Sequence, residues 1–151
     1  MKYFRVHTAD IAYITQEPRE IFTAVWKLVD SKVMIDYFNS RESELAAKID
    51  SLQIALCGIV RTEIIHGARS DAEIDDYLRA FKTFDNLIND DYDWEATGFL
   101  LQTLRSNGVQ IPLASAFIAF TAMKYDIPLW TRDSHFKFVQ GYYPELKLYE
   151  E

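Results

Sequence analysis

WKLVDSKVMIDYF, residues 26–38, is the stretch on which the fold turns. The apolar pair Leu28 and Val29 runs straight into a carboxylate, Asp30. A helical pattern starts at once, with Val33, Met34, Tyr37 and Phe38 on one face. In open α/β sheets, ligands bind outside the carboxyl ends of the strands. An acid at such a joint points into the crevice and gains nothing from packing. Asp30 is therefore either a cap for the helix that follows or a ligand for something cationic.

Outward from this stretch, strand and helix alternate. Lys27–Asp30 reads as a short strand, followed by a helix to about Phe38. A polar helix covers Glu42–Ser51, and the run Ile54–Cys57 is a second buried strand. Ile59–Ala68 is helical and stops near Gly67. Ser70-x-x-Glu73 predicts a capping box for a helix that carries Ile74, Tyr77, Leu78, Phe81 and Phe84 at helical spacing. Leu87 and Ile88 suit a short strand. Asp93 is expected to cap a helix that turns Trp94, Leu101 and Leu104 inward and ends at Gly108. Ala114–Tyr125 is apolar nearly all round and should be a buried helix. Pro128–Thr131 and Lys147–Tyr149 complete the set as strands. The fold class is α/β: a three-layer sandwich with a mainly parallel sheet covered by helices.

The totals agree with a packed globule. In 151 residues, 49% are hydrophobic and 15% aromatic, enough for one domain with a sizeable core. No run is apolar for long enough to span a bilayer. Asp10, Arg19 and Glu20 interrupt any secretory signal core. The single Cys57 sits in an apolar run as a buried small hydrophobe, and one cysteine builds no internal disulfide, so a reducing, cytoplasmic setting is expected. Residues 26–151 form the domain, and residues 1–25 are an N-terminal extension that fits poorly. Val6, Ile11, Tyr13 and Ile14 suit an extra strand or clasp, and a start at Val25 stands as the other reading.

A net charge of −7 opposes direct nucleic-acid binding, since phosphate contact needs Lys and Arg. Two readings survive. The acids gather at a metal site that bridges to phosphate, or an acidic surface serves solubility or a basic protein partner.

Three acids stand where their surroundings are apolar or where a strand ends. Asp30 follows KLV, Glu63 lies early in the helix IVRTEIIHGAR, and Asp133 follows PLWT. Taken singly, each has a structural explanation: Asp30 and Asp133 as caps, Glu63 as a partner of Arg61 or Arg69. Together they differ. Parallel strands end side by side, so Asp30 and Asp133 can converge across the sheet edge, with Glu63 in reach. Unpaired carboxylates in one crevice raise each other's pKa. A bound Mg²⁺ or Mn²⁺ removes that conflict, because oxygen ligands suit hard divalent ions. Such an ion lowers the pKa of water and polarises a phosphoryl oxygen, which is chemistry for phosphodiester hydrolysis.

WKLVDSKVMIDYF, then TEIIHGAR, then PLASAFIAFTAMKYDIPLWTRDSHF resemble the successive motifs of the PIN domain, most closely those of VapC-type toxins. The resemblance runs from about Trp26 to Tyr149. It implies a parallel α/β sandwich, metal-dependent endoribonuclease activity, an RNA substrate, a homodimer, a neutralising antitoxin and no membrane. The family's acids map onto Asp30, Glu63 and Asp133. One departure stands out. In a pattern like PLxDAxIAATA the family has an acid where this chain has Ser115. A neutral hydroxyl holds a metal-bound water at best, which favours one-metal over two-metal chemistry and weakens the site.

The remaining polar residues look secondary. Ser31 suits a hydrogen bond to the Asp30 carboxylate or a cap. Thr131 suits the same role toward Asp133 or simple strand termination. Asp36 reads as a salt-bridge residue. His7, His66 and His135 are not at metal-ligand spacing, and Arg69, Arg132 and Lys137 are solvated by default. The rival from another class is a catalytically silent PIN-like module that keeps partner binding. A receiver-like phosphoacceptor would need paired acids near Asp30, and the chain shows none.

Overall fold

Four short strands, all parallel, make up the sheet in the computed structural model of the chain, which describes residues 26–40 and 43–151. They are β1 (Trp26–Val29), β2 (Gln53–Cys57), β3 (Asp85–Leu87) and β4 (Leu129–Trp130), in the order β3-β2-β1-β4. Helices α1 (Ser31–Asn39), α2 (Ser43–Ser51), α3 (Gly58–His66), α4 (Asp71–Phe81), α5 (Asp91–Ser106), α6 (Leu113–Tyr125) and α7 (His135–Tyr142) connect and cover them. This is the α/β sandwich that the alternation predicts. The extra strand or clasp expected within residues 1–25 lies outside the described residues.

The sheet is short but deeply buried. Leu28 and Val29 of β1 and Ile54–Cys57 of β2 are all buried, as expected where helices cover a parallel sheet. β1 pairs with β2 on one side, Leu28 against Ala55, and with β4 on the other, Val29 against Trp130. The residue after β1 thus lies at the middle of the carboxyl edge. Cys57 at the end of β2 is free and buried, and that burial pushes its thiol up to about 11. Among the described residues, no helix is long and apolar enough to cross a membrane.

α6 is the central helix. Ala116–Lys124 is buried at every position. Lys124 is the exception in chemistry, and its Nζ reaches Asp93 Oδ2 of α5 at 2.7 Å. The same oxygen accepts the Asp90 N–H at 2.9 Å and Asn89 Nδ2 at 3.0 Å. The ion pair therefore pins α5 to α6 inside the core.

Local detail departs from the sequence expectations in five places. Asp90, not Asp93, caps α5; Asp93 is the third helical residue and closes a reciprocal capping box. At Ser70 only half of the box forms. Its side chain accepts the Glu73 N–H, whereas the Glu73 carboxylate takes the Arg69 N–H at 2.6 Å. The expected strand at Lys147–Tyr149 is reduced to a single bridge, Leu148 to Leu129, with the Leu129 N–H donating to Lys147 O and the Tyr149 N–H to Leu129 O, each at 2.8 Å. α7 was not expected; Phe136 and Val139 bury its inner face. Trp94 stays half exposed, with its ring against Phe117 at 4.1 Å between centroids, and Leu101 is only partly buried.

Candidate active site

Asp30 follows the last residue of β1, and its backbone N–H donates to Trp130 O at 2.9 Å. The central strand and β4 thus fix where the carboxylate emerges. Its Oδ1 accepts the Ser31 N–H at 2.8 Å and the Ser31 hydroxyl at 3.3 Å. Its Oδ2 accepts the Thr131 hydroxyl at 2.7 Å. Asp30 therefore does cap α1, as one sequence reading has it. Capping leaves its charge unanswered, however. The residue is only 6% exposed and has no ion pair among the described residues. Burial raises its pKa, the nearby Glu63 charge adds to the rise, and the Thr131 and Ser31 hydrogen bonds offset part of it.

Glu63 sits on α3, partly buried, one turn beyond the end of β2. The two arginines that sequence offered as partners are engaged elsewhere. Arg61 donates to Asn86 at 3.2 Å. Arg69 pairs with Glu73 at 2.8 Å and reaches Asn39. Among the described residues the Glu63 carboxylate has neither a hydrogen bond nor an ion pair, while its backbone carbonyl accepts the Gly67 N–H at 3.1 Å. Two carboxylates, Asp30 and Glu63, thus share electrostatic reach with no cation between them.

Thr131 carries more than sequence assigned to it. Its hydroxyl oxygen donates to Asp30 and also accepts the Asp133 N–H at 3.0 Å. One side chain therefore ties the ends of β1 and β4 together. The Asp133 carboxylate itself turns toward α7, where it accepts the His135 N–H at 2.9 Å and lies 3.0 Å from His135 Nδ1. Ser115 lies in the first turn of α6, partly buried. Asp36 pairs with Arg132 at 2.8 Å, and Arg132 also binds Glu151, so both are structural.

Among the described residues, no three His, Cys, Asp or Glu side chains are grouped to hold a metal ion. The donor chemistry still suits a hard dication. Mg²⁺ commonly takes one or two carboxylates and fills its shell with water and substrate phosphate. Asp30 and Glu63 are oxygen donors of that kind, and neither carboxylate is neutralised.

Residues 27–141 match the PIN domain family. This chain belongs to the PIN domain family. Ribonuclease VapC1 of Methanocaldococcus jannaschii is 31% identical over 127 residues, 82% of this chain and 87% of that protein. A toxin–antitoxin complex from Klebsiella pneumoniae contains a chain 25% identical, with a TM-score of 0.61, covering 83% of this chain and 99% of that one. VapBC2 from Rickettsia felis, bound to a DNA fragment from its promoter, has the same fold at 18% identity. Its TM-score is 0.70 over 82% of this chain and 97% of that one. The PIN fold, with VapC ribonucleases as relatives, is what the sequence resemblance implies.

Proposed function

We propose that this chain is a VapC-type endoribonuclease that hydrolyses RNA phosphodiester bonds with the help of Mg²⁺ or Mn²⁺. The observation that carries the reading is Asp30, a buried carboxylate without a cation, with Glu63 beside it. In this reading Asp30 and Glu63 hold the ion, Ser115 holds a water of its shell, and Asp133 lines the same edge. When bound, the ion supplies an activated water and a polarised phosphoryl oxygen.

The chain's own residues set the stage. Ser31 and Thr131 fix both oxygens of Asp30, so its orientation is settled before any ligand arrives. Burial holds its proton more tightly than water would, and Asp30 and Glu63 lose their mutual repulsion on taking up a dication. No covalent protein intermediate is needed. As in the toxin–antitoxin complexes that it resembles, one partner is a cognate antitoxin; the family resemblance adds a second copy of the chain, and the lone buried Cys57 suits the cytoplasm. A basic antitoxin side chain entering this crevice makes bidentate, charge-assisted bonds with the same acids.

Ser115 favours a second reading, a silent module that keeps fold and partner but does not turn over. Thermal melting with Mn²⁺, read beside cleavage of single-stranded RNA, separates the two. At a hundredfold excess over its dissociation constant the ion adds about 2.7 kcal/mol, roughly 5–10 °C in a domain of this size. A rise in melting temperature together with chelator-sensitive cleavage supports the nuclease. A rise without cleavage supports the silent module, and neither effect removes the metal site.

A further inference from the structure

A cavity of about 520 Å³ opens beside α3, between the end of β3 and the outer faces of α5 and α6. Its walls include Arg61, Thr62, Asn86, Asn89, Trp94 and Phe117. It opens at the carboxyl edge of the sheet: Gly58 follows β2 and Ile88 follows β3, at the same edge where Asp30 follows β1. The volume falls within the range of pockets that hold small organic ligands.

Three of its groups are prepared and unspent. Trp94 is half exposed, and its ring is backed by the buried Phe117. That makes a rigid aromatic platform. Arg61 has no carboxylate partner among the described residues, although the chain carries a net charge of −7. Asn86 holds it at 3.2 Å, and its guanidinium lies over the Phe81 ring at 5.0 Å. Asn89 has its amide orientation fixed, because Nδ2 donates to the Asp93 carboxylate and to Thr121, each at 3.0 Å. Its Oδ1 is buried without a hydrogen-bond partner among the described residues.

An aromatic plane, a guanidinium without a carboxylate partner and an unfilled acceptor are the complement of a nucleotide: a base face, a phosphate and a base-edge N–H. An apolar peptide would use Trp94 and Phe117 but would leave Arg61 and Asn89 unanswered. The geometry points to this cavity as the seat of a nucleotide adjacent to the scissile phosphate, with Trp94 stacking its base and Arg61 meeting its phosphate. This inference rests on the ribonuclease reading and names a subsite for its substrate.

The test is binding of a labelled single-stranded oligoribonucleotide to the full chain in chelator, read by fluorescence anisotropy, with Mn²⁺-dependent cleavage measured in parallel. Trp94→Ala and Arg61→Gln are each expected to weaken binding about tenfold, the size of one lost base stack or phosphate contact. Trp94→Phe keeps the platform on Phe117 and is expected to keep most of the affinity, which separates stacking from misfolding. Unchanged affinity in both variants, with wild-type cleavage intact, overturns the cavity and leaves the nuclease standing. Weakened binding in a chain that never cleaves supports the cavity and removes the nuclease. Variants that keep RNA but lose a basic antitoxin peptide assign the cavity to the protein partner and overturn the proposal.

Discussion

Two buried carboxylates sit at opposite ends of this molecule's chemistry. Asp93 is wholly buried and holds Lys124 at 2.7 Å, with Asn89 and the Asp90 amide on the same oxygen. Asp30 is nearly as buried, but its donors are two hydroxyls and one amide, all neutral. The first charge is cancelled from within the fold. The second is left for something outside it. A buried ion is expensive unless it is paired, and the proposed metal site rests on this unpaired acid. Burial depth alone would have ranked Asp93 above Asp30 as a functional residue, and the partners reverse that ranking.

Substitutions at the two sites should fail in opposite ways. Lys124→Met leaves Asp93 charged and alone in the core, a loss of about 3–5 kcal/mol. Melting should fall by roughly 10 °C, and adding Asp93→Leu should restore much of it. Near-normal melting in the single variant would mean that the pair is not structural.

Asp30→Asn should do the reverse. RNA cleavage is expected to drop by more than about 100-fold, beyond the loss typical of a residue that merely supports a metal ligand. Stability should rise. Burial raises the pKa of Asp30, so the folded chain binds that proton more tightly than the unfolded chain does. The stability this confers is present at low pH and is lost as pH climbs past the ordinary carboxylate value. Metal-free Asp30→Asn should therefore melt a few degrees above the parent at pH 7, with the gap closing toward pH 4. A gap that widens in acid would reverse the assignment.

Ser115→Asp sharpens the contrast with the smallest effect. A further negative oxygen at the α6 start should tighten Mn²⁺ binding about tenfold, since ligand charge tunes such sites. Calorimetry reads this directly, and unchanged affinity would place Ser115 outside the site.

Much of this was legible before any coordinates. An apolar strand that runs into Asp30, a helix that begins at once, and an all-apolar α6 are patterns that burial itself imposes. Asp36 as a salt-bridge residue and Cys57 as a buried thiol followed from the same logic. The pairing of Asp93 is also written in the chain. Asp90-x-x-Asp93 has capping-box spacing, and a lysine in a helix with no polar face must find an anion. Other features were not legible. α7 buries only Phe136 and Val139, too short a pattern to separate from a loop. The arginines that sequence offers Glu63 are taken up elsewhere, Arg61 by Asn86 and Arg69 by Glu73, a fact of tertiary geometry. Sequence adjacency offers Thr131 to Asp133, yet its proton goes to a residue 101 positions earlier.

That last separation has a bearing on how the protein is made. Ribosomes add about 5–20 residues each second, so Asp30 precedes Thr131 by on the order of 5–20 s during synthesis. Throughout that interval the nascent chain carries the acid without the strand that orients it. In the proposed nuclease the acidic edge is thus completed almost last, and a chain interrupted before Thr131 holds Asp30 without the hydroxyl that orients it.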